Sequence, residues 1–164
     1  MNVTHEINRE NTTTTWLTPP DIIKALGEFD LDPCTPIEMP WATAKKRYTE
    51  IDNGLLQAWE GRVWLNPPYG KEMPSWLNKM ALHGNGIALT FCRSETVVFQ
   101  DWVFPYATAI LFKRGRIHFL NNAGEKVGNG SRAGSVFIAY GSENADILKN
   151  SGIKGTFINL KSNP

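Results

Sequence analysis

The chain has 164 residues and a formal net charge of +1 at pH 7, with 41% hydrophobic and 20% charged residues. These values are typical of a soluble globular protein, and the length is too short for two ordinary domains. No apolar run is long enough to span a membrane, and the near-neutral charge does not by itself predict a polyanionic partner.

The first predicted elements follow a polar leader. Residues 1–15 lack apolar periodicity, which predicts a flexible N-terminal segment, and residues 16–164 are predicted to form one domain. Thr18 is followed by two prolines and an aspartate, which is typical of a helix start with Thr18 as the capping residue. The helix is expected to end at Gly27, before a short strand over residues 29–32.

The rest of the chain alternates between loops, strands and helices. Residues 34–58 are predicted to be mostly loop, with an extended piece at 48–51. Apolar runs predict strands over residues 62–65, 86–91, 109–112, 135–140 and 156–160. Helices are predicted over residues 74–82, 96–104 and 143–150, and a surface loop over 121–134.

This alternation predicts an α/β fold with a mainly parallel central sheet and helices on both faces. Functional sites in such sheets gather at the C-terminal ends of strands. Asp32-Pro33 and Asn66-Pro67 each follow a predicted strand. We therefore expect these two segments to face one cleft.

The cysteines and histidines give no sign of a metal site or of a disulfide framework. Cys34 and Cys92 stand in apolar surroundings, which favours reduced thiols in a cytoplasm. The histidines, His5, His83 and His118, show no ligand spacing with them. We expect no metal cofactor.

The segment Asn66-Pro67-Pro68-Tyr69 is the most informative feature of the chain. Two consecutive prolines stiffen the loop and leave its carbonyls without intrachain donors nearby. The amide oxygen of Asn66 and the carbonyl of Pro67 can both accept hydrogen bonds from one amino group, and Tyr69 offers a flat surface to a heteroaromatic ring. Adenine combines such an amine with such a ring, although Asn-Pro and Pro-Pro pairs are also common in ordinary loops.

Two basic concentrations are candidates for phosphate contacts. They are Lys45-Lys46-Arg47 and Lys113-Arg114-Gly115-Arg116. Each one alone is equally compatible with a solvated face.

The order of four segments resembles a known family. Thr18-Pro19-Pro20, Leu31-Asp32-Pro33-Cys34, residues 52–59 and Asn66-Pro67-Pro68-Tyr69 resemble the S-adenosylmethionine-dependent amino-methyltransferases, and most closely the small phage-type DNA N6-adenine methyltransferases. The resemblance runs from about Trp16 to Tyr140. It implies a Rossmann-like methyltransferase fold, S-adenosylmethionine as cofactor, double-stranded DNA as partner, and the cytoplasm of a bacterial host as location.

The resemblance also implies roles for individual residues. Asn66, Pro67, Pro68 and Tyr69 match the family's catalytic element. The residues that match its cofactor elements are Trp16, Thr18, Pro19, Asp32, Pro33, Cys34 and Asp52. Thr18 and Asp32 would meet the methionine end of the cofactor, Asp52 would accept from its adenine amine, and Trp16 would pack on that adenine.

Recognition of DNA would fall to surface segments, because the separate target-recognition domain of larger relatives is missing. The loop 121–134 and the residues Lys113, Arg114 and Arg116 are the candidates, with Phe119 as a wall of the base pocket. Glu38 and Glu50 are candidates for the ribose hydroxyls of the cofactor. The resemblance does not fix the oligomeric state, for which a monomer or a weak dimer is expected.

Other functions remain open at the level of the sequence. A cytosine-N4 methyltransferase would use the same chemistry but usually has serine before the two prolines. Methyltransferases acting on RNA adenine or on a protein amide share the Asn-Pro-Pro-Tyr element. A non-enzymatic nucleic-acid-binding module would account for the six tryptophans and the basic clusters.

Overall fold

The computed structural model describes residues 16–131 and 133–161, so the predicted N-terminal leader lies outside the described residues. The strands are β1 (Leu31–Asp32), β2 (Lys46–Arg47), β3 (Val63–Leu65), β4 (Gly86–Phe91), β5 (Ala109–Lys113), β6 (Ser135–Tyr140) and β7 (Gly155–Asn159). The helices are α1 (Pro20–Ala25), α2 (Met73–His83) and α3 (Ser142–Asn150), with a π-helical segment at Phe99–Val103.

All seven strands belong to one sheet with the order β2-β1-β3-β4-β6-β5-β7. Strands β2, β1, β3 and β4 pair in parallel. Strand β6 pairs antiparallel with β4 and with β5, and β7 pairs antiparallel with β5. The antiparallel ladders are also the longer ones, so the prediction of a mainly parallel sheet is wrong.

The error has a physical cause in the burial of β6. Every residue of β6 is buried, because helices cover both faces of the sheet. An antiparallel strand in that position is as continuously apolar as a parallel one, so hydrophobic periodicity carries no information about its direction.

Helices cover the sheet on both faces, as predicted. On one face, α2 contributes Trp76, Leu77 and Met80 to a core that also contains the π-helical segment. On the other face, α1 and α3 pack Leu26 and Leu148 against the sheet.

Two predicted helices differ from the structure. The first begins at Pro20, and Thr18 does not cap it; Pro19 occupies the cap position without a side-chain bond. The segment predicted as a helix over 96–104 contains a π-helical turn, in which the amide of Phe104 donates to the carbonyl of Phe99 at 2.9 Å. Strand β2 lies at Lys46–Arg47, just before the extended piece predicted at 48–51.

The topology puts a switch point between β1 and β3, and we call the space beyond the C-terminal ends of these two strands the crevice. The chain passes from β1 to β2 on one side and then crosses to β3 on the other side of β1. Such a switch point leaves an opening beyond the C-terminal ends of the two strands, and ligands of α/β sheets bind there. Asp32 ends β1, and Asn66 follows β3 directly.

We predict that Gly86→Ala destabilises the sheet by about 2 kcal/mol or more, as overpacking of a core does. A Cβ atom at Gly86 would overlap the carbonyl oxygen of Val63 and the Met80 side chain. Gly134→Ala is the matched control, because its Cβ would be 3.9 Å from the nearest atom, on Arg116. Urea unfolding should separate the two variants, and equal stabilities would contradict the packing of β3 on β4.

Candidate active site

The ends of β1 and β3 are joined directly across the crevice. The thiol of Cys34 donates to the backbone carbonyl of Asn66, with 3.2 Å between sulfur and oxygen. Burial raises the pKa of Cys34, and the neighbouring Asp32 carboxylate raises it further, so the thiol keeps its proton. Cys34 is therefore a structural link between the two loops and not a reactive thiolate.

Asp32 is a buried carboxylate, only 5% exposed. Its Oδ2 accepts from the hydroxyl of Thr43 at 2.5 Å, and its Oδ1 accepts from the amide of Cys34 at 3.2 Å. Burial raises the pKa of Asp32 despite these bonds and despite the attraction of Arg47. A carboxylate held at such a cost, with acceptor capacity left over, is suited to a cationic ligand group.

The amide of Asn66 has a defined orientation. Its Nδ2 donates to the hydroxyl of Thr18 at 3.2 Å and to the carbonyl of Trp16 at 3.4 Å. The Trp16 carbonyl can only accept, so the amide nitrogen must face it and Oδ1 must point the other way. No described residue donates to Oδ1, which leaves this oxygen free to accept from a ligand.

Thr18 does not cap α1, in contrast to the sequence prediction. It is 2% exposed, and its hydroxyl is bound to Asn66. Pro19 follows it and begins the turn into α1, where its carbonyl accepts from Ile22 at 3.1 Å. These contacts make Thr18 a support for Asn66.

Tyr69 is already stacked on one face. Its ring lies parallel to that of Phe91, with 4.3 Å between centroids and 10° between planes. Although 38% of the Tyr69 surface is exposed, desolvation raises the pKa of its phenol, so the hydroxyl stays neutral. The second face of a fixed aromatic ring is a platform for a planar base.

The loop 52–59 packs against the crevice through Gly54. A Cβ at Gly54 would overlap the carbonyl oxygen of Pro33, so only glycine permits this approach. Lys79 of α2 fixes the loop by donating hydrogen bonds to the backbone carbonyls of Leu55 at 2.7 Å and Gln57 at 2.5 Å. Burial lowers the pKa of this lysine.

Asp52 lies at the exposed start of that loop. Its Oδ2 accepts hydrogen bonds from the backbone amide of Thr49 at 2.8 Å and from the Thr49 hydroxyl at 3.1 Å. The hydrogen bond from the backbone amide is the main cause that lowers the pKa of Asp52. The other carboxylate oxygen has no bond from the described residues. Asp52 is thus an ionised acceptor beside the crevice but is not in contact with Asp32 or Asn66.

Two predicted positions have other surroundings. Phe119 is 1% exposed and packs on Trp16, with 5.4 Å between centroids, so it belongs to the core and does not line an open pocket. Glu38 and Glu50 are both exposed, and Glu38 accepts from Asn122 at 3.4 Å.

The basic clusters are placed differently. Lys45 lies within ion-pair distance of Glu28 and Asp30, and Lys46 lies over the ring of Tyr48. Lys113 ends β5, and Arg114 and Arg116 follow it with exposed side chains. The second cluster therefore has charges available to an external anion.

Sequence reasoning missed three residues that shape the site. Thr43, Lys79 and Phe91 lie far along the chain from the residues they support. Only Phe91 gave a signal, as the last residue of a strand whose C-terminal end is at the crevice edge. The contacts of Thr43 and Lys79 depend on the fold of irregular segments and leave no periodic pattern.

No helix among the described residues is long and apolar enough to cross a membrane. No group of three or more metal-ligating side chains occurs within the described part of the chain.

A family model described as DNA N-6-adenine-methyltransferase (Dam) matches residues 6–152. The chain belongs to this Dam family. The match covers most of the chain and includes both sides of the crevice. Comparisons with curated proteins and with solved structures gave no match.

Membership of the Dam family establishes the activity. The protein is an enzyme that methylates the N6 amine of adenine in DNA with a methyl donor of the S-adenosylmethionine type. The sequence prediction of family and reaction is confirmed. The non-enzymatic binding module is not supported.

We predict that Asp32→Asn makes the Dam-family enzyme more stable at neutral pH in the absence of ligands. Burial raises the folded-state pKa of Asp32, so its ionised form costs stability above that pKa. Protonation removes this cost, and the advantage of the variant should therefore shrink as the pH falls through the folded pKa. Urea unfolding in neutral and acidic buffer measures both effects.

Asp30→Asn is the matched control, for which the expected change in stability at neutral pH is a loss. A backbone hydrogen bond from Arg62 lowers the pKa of Asp30, so this carboxylate contributes stability that is present at neutral pH and lost in acid. An Asp32→Asn protein less stable than wild type at neutral pH would contradict the assignment.

Proposed function

We propose that the crevice between β1 and β3 is the active site, and that Asn66, Pro67, Pro68 and Tyr69 bind the target adenine. The observation that carries this proposal is the orientation of Asn66, whose Oδ1 is free while its amide nitrogen is bound to Thr18. The proposal adds residue roles to the established reaction. It also takes double-stranded DNA as the substrate and residues 16–164 as one methyltransferase domain.

Asp32 would hold the cationic amino group of the methionine end of the cofactor. Two of its acceptor positions are used by Thr43 and Cys34, and a charge-assisted bond would offset the cost of burying the anion. Pro33 and the loop containing Asp52 form the adjoining wall, where the free oxygen of Asp52 would accept from the cofactor adenine. The bound cofactor supplies an activated methyl group on a sulfonium.

Asn66 and Pro67 would act on the adenine amine. The lone pair of this amine is delocalised into the ring, which makes it a poor nucleophile. Hydrogen bonds from its two N–H groups to Oδ1 of Asn66 and to the carbonyl of Pro67 would fix the amine and stabilise the positive charge that develops as its nitrogen gains the methyl group. The methylated nitrogen then loses one proton to solvent. Positioning of the reacting groups accounts for about 7 kcal/mol or more in well-oriented reactions, so no strong general base is needed.

Tyr69 would bind the ring of the extruded base. Removing adenine from a duplex costs a few kcal/mol, and stacking on an aromatic side chain returns roughly 1–3 kcal/mol. Phe91 already holds the Tyr69 ring in place, so little side-chain freedom is lost on stacking. Contacts of Lys113, Arg114 and Arg116 with flanking phosphates would supply the remainder.

We predict that Asn66→Ala lowers the single-turnover rate of methyl transfer by about 100-fold or more, because it removes an acceptor that matters most as the amine becomes positive. Calorimetry should give nearly unchanged cofactor affinity, since Asp32 carries that contact. Transfer of labelled methyl, with the nucleoside identified by mass spectrometry, is the assay. A wild-type rate of N6-methyladenine formation would exclude this role for Asn66.

We predict that Thr18→Val lowers the single-turnover rate of methyl transfer about fivefold or more, which is the equivalent of one lost hydrogen bond. Thr18→Ser keeps the hydroxyl and should keep the wild-type rate. Valine keeps the shape of threonine but cannot accept from Asn66. If Thr18 instead holds the cofactor, Thr18→Val will weaken cofactor affinity and leave the rate at saturation intact. The two roles are thereby distinguished.

A further inference from the structure

A groove of about 500 Å³ lies between α1, the end of β5 and the turn before β7. Ile22 and Ile153 contribute apolar surface to it. The side chains of Lys113, Arg114 and Lys154 give it three positive charges, and Asp21 is its single carboxylate.

The three cations are held on a fixed framework. Lys113 is in register with Gly155 across the β5–β7 ladder, and the amide of Arg114 donates to the carbonyl of Lys154 at 2.9 Å. Among residues 16–131 and 133–161, no carboxylate pairs with any of the three. Arg114 and Lys154 are exposed, so their charges are available to an anion from solution.

The groove and Asn66 share an edge and a face of the sheet. Lys113 is at the C-terminal end of β5, as Asn66 is at that of β3, and these strands run in the same direction. Both sites also border α1: Thr18 contacts Asn66 just before the helix, and Asp21 in its first turn lines the groove. Three strand spacings separate β3 from β5, or about 14 Å.

We infer that this groove binds a phosphodiester of the substrate DNA, and that Lys154 is one of its ligands. The inference rests on the proposed active site at Asn66. Each strand of a duplex carries one phosphate per about 3.4 Å of helix axis, so a site at this separation is within reach of a phosphate a few nucleotides from the target adenine. An array of Lys and Arg side chains over apolar surface suits a contact with the DNA phosphate backbone, which carries no sequence information.

The test compares Lys154→Gln with Lys24→Gln, a change on the same side of the molecule but outside the groove. Each neutralised phosphate contributes about 0.9 to the slope of log affinity against log salt. Lys154→Gln should therefore flatten this slope by about one unit, and Lys24→Gln should leave it unchanged. Asp21→Asn, which removes only a repulsive charge, should tighten DNA binding several-fold.

Duplexes that carry a single uncharged methylphosphonate locate the contact. Moving the neutral linkage along either strand should reveal one position, within a few nucleotides of the adenine, where wild type loses affinity and Lys154→Gln does not. Equal slopes for Lys154→Gln and Lys24→Gln, or no such position, would overturn the groove assignment. If Asn66→Ala methylates adenine as well as wild type does, the active-site proposal fails instead, whatever the slopes.

Discussion

The candidate site depends on how β1 is held against β3. The two strands share one register pair, Leu31 with Val63, which is a weak ladder by itself. Side chains at both ends strengthen it: Asp30 accepts from the amide of Arg62, and the Cys34 thiol donates to the Asn66 carbonyl. Gly54 then packs against Pro33 and closes the side of the crevice. A short strand pair is thus made rigid by its neighbours.

The antiparallel half of the sheet has a different task. Insertion of β6 between β4 and β5 moves the end of β5 outward, so the basic turn after Lys113 stands apart from Asn66 while remaining on the same edge. Chemistry on a base and contacts with the backbone around it need this separation, because a flipped base leaves its neighbours in the duplex. One sheet edge would then serve both proposed purposes.

The sequence predicted most elements to within two residues, because buried strands and the apolar stripe of α2 have clear periodicity. It also predicted that Asp32 and Asn66 lie at the C-terminal ends of strands. The sequence did not predict the direction of β6, because strand direction depends on the neighbouring strands. It also did not predict which hydrogen bond a side chain makes when two are possible. The Thr18 hydroxyl had been expected to cap α1, yet it binds Asn66, which is distant in sequence. Local patterns contain no information about such contacts.

Asp32 has a consequence for how this protein can change. Its buried charge lowers the stability of the empty enzyme, whereas its proposed ligand would remove the penalty by supplying a cation. Selection for stability alone would then favour loss of the carboxylate, and selection for activity would retain it. Position 32 is therefore where the two pressures oppose each other, and an ancestral or laboratory lineage that lost methylation would be free to gain stability there.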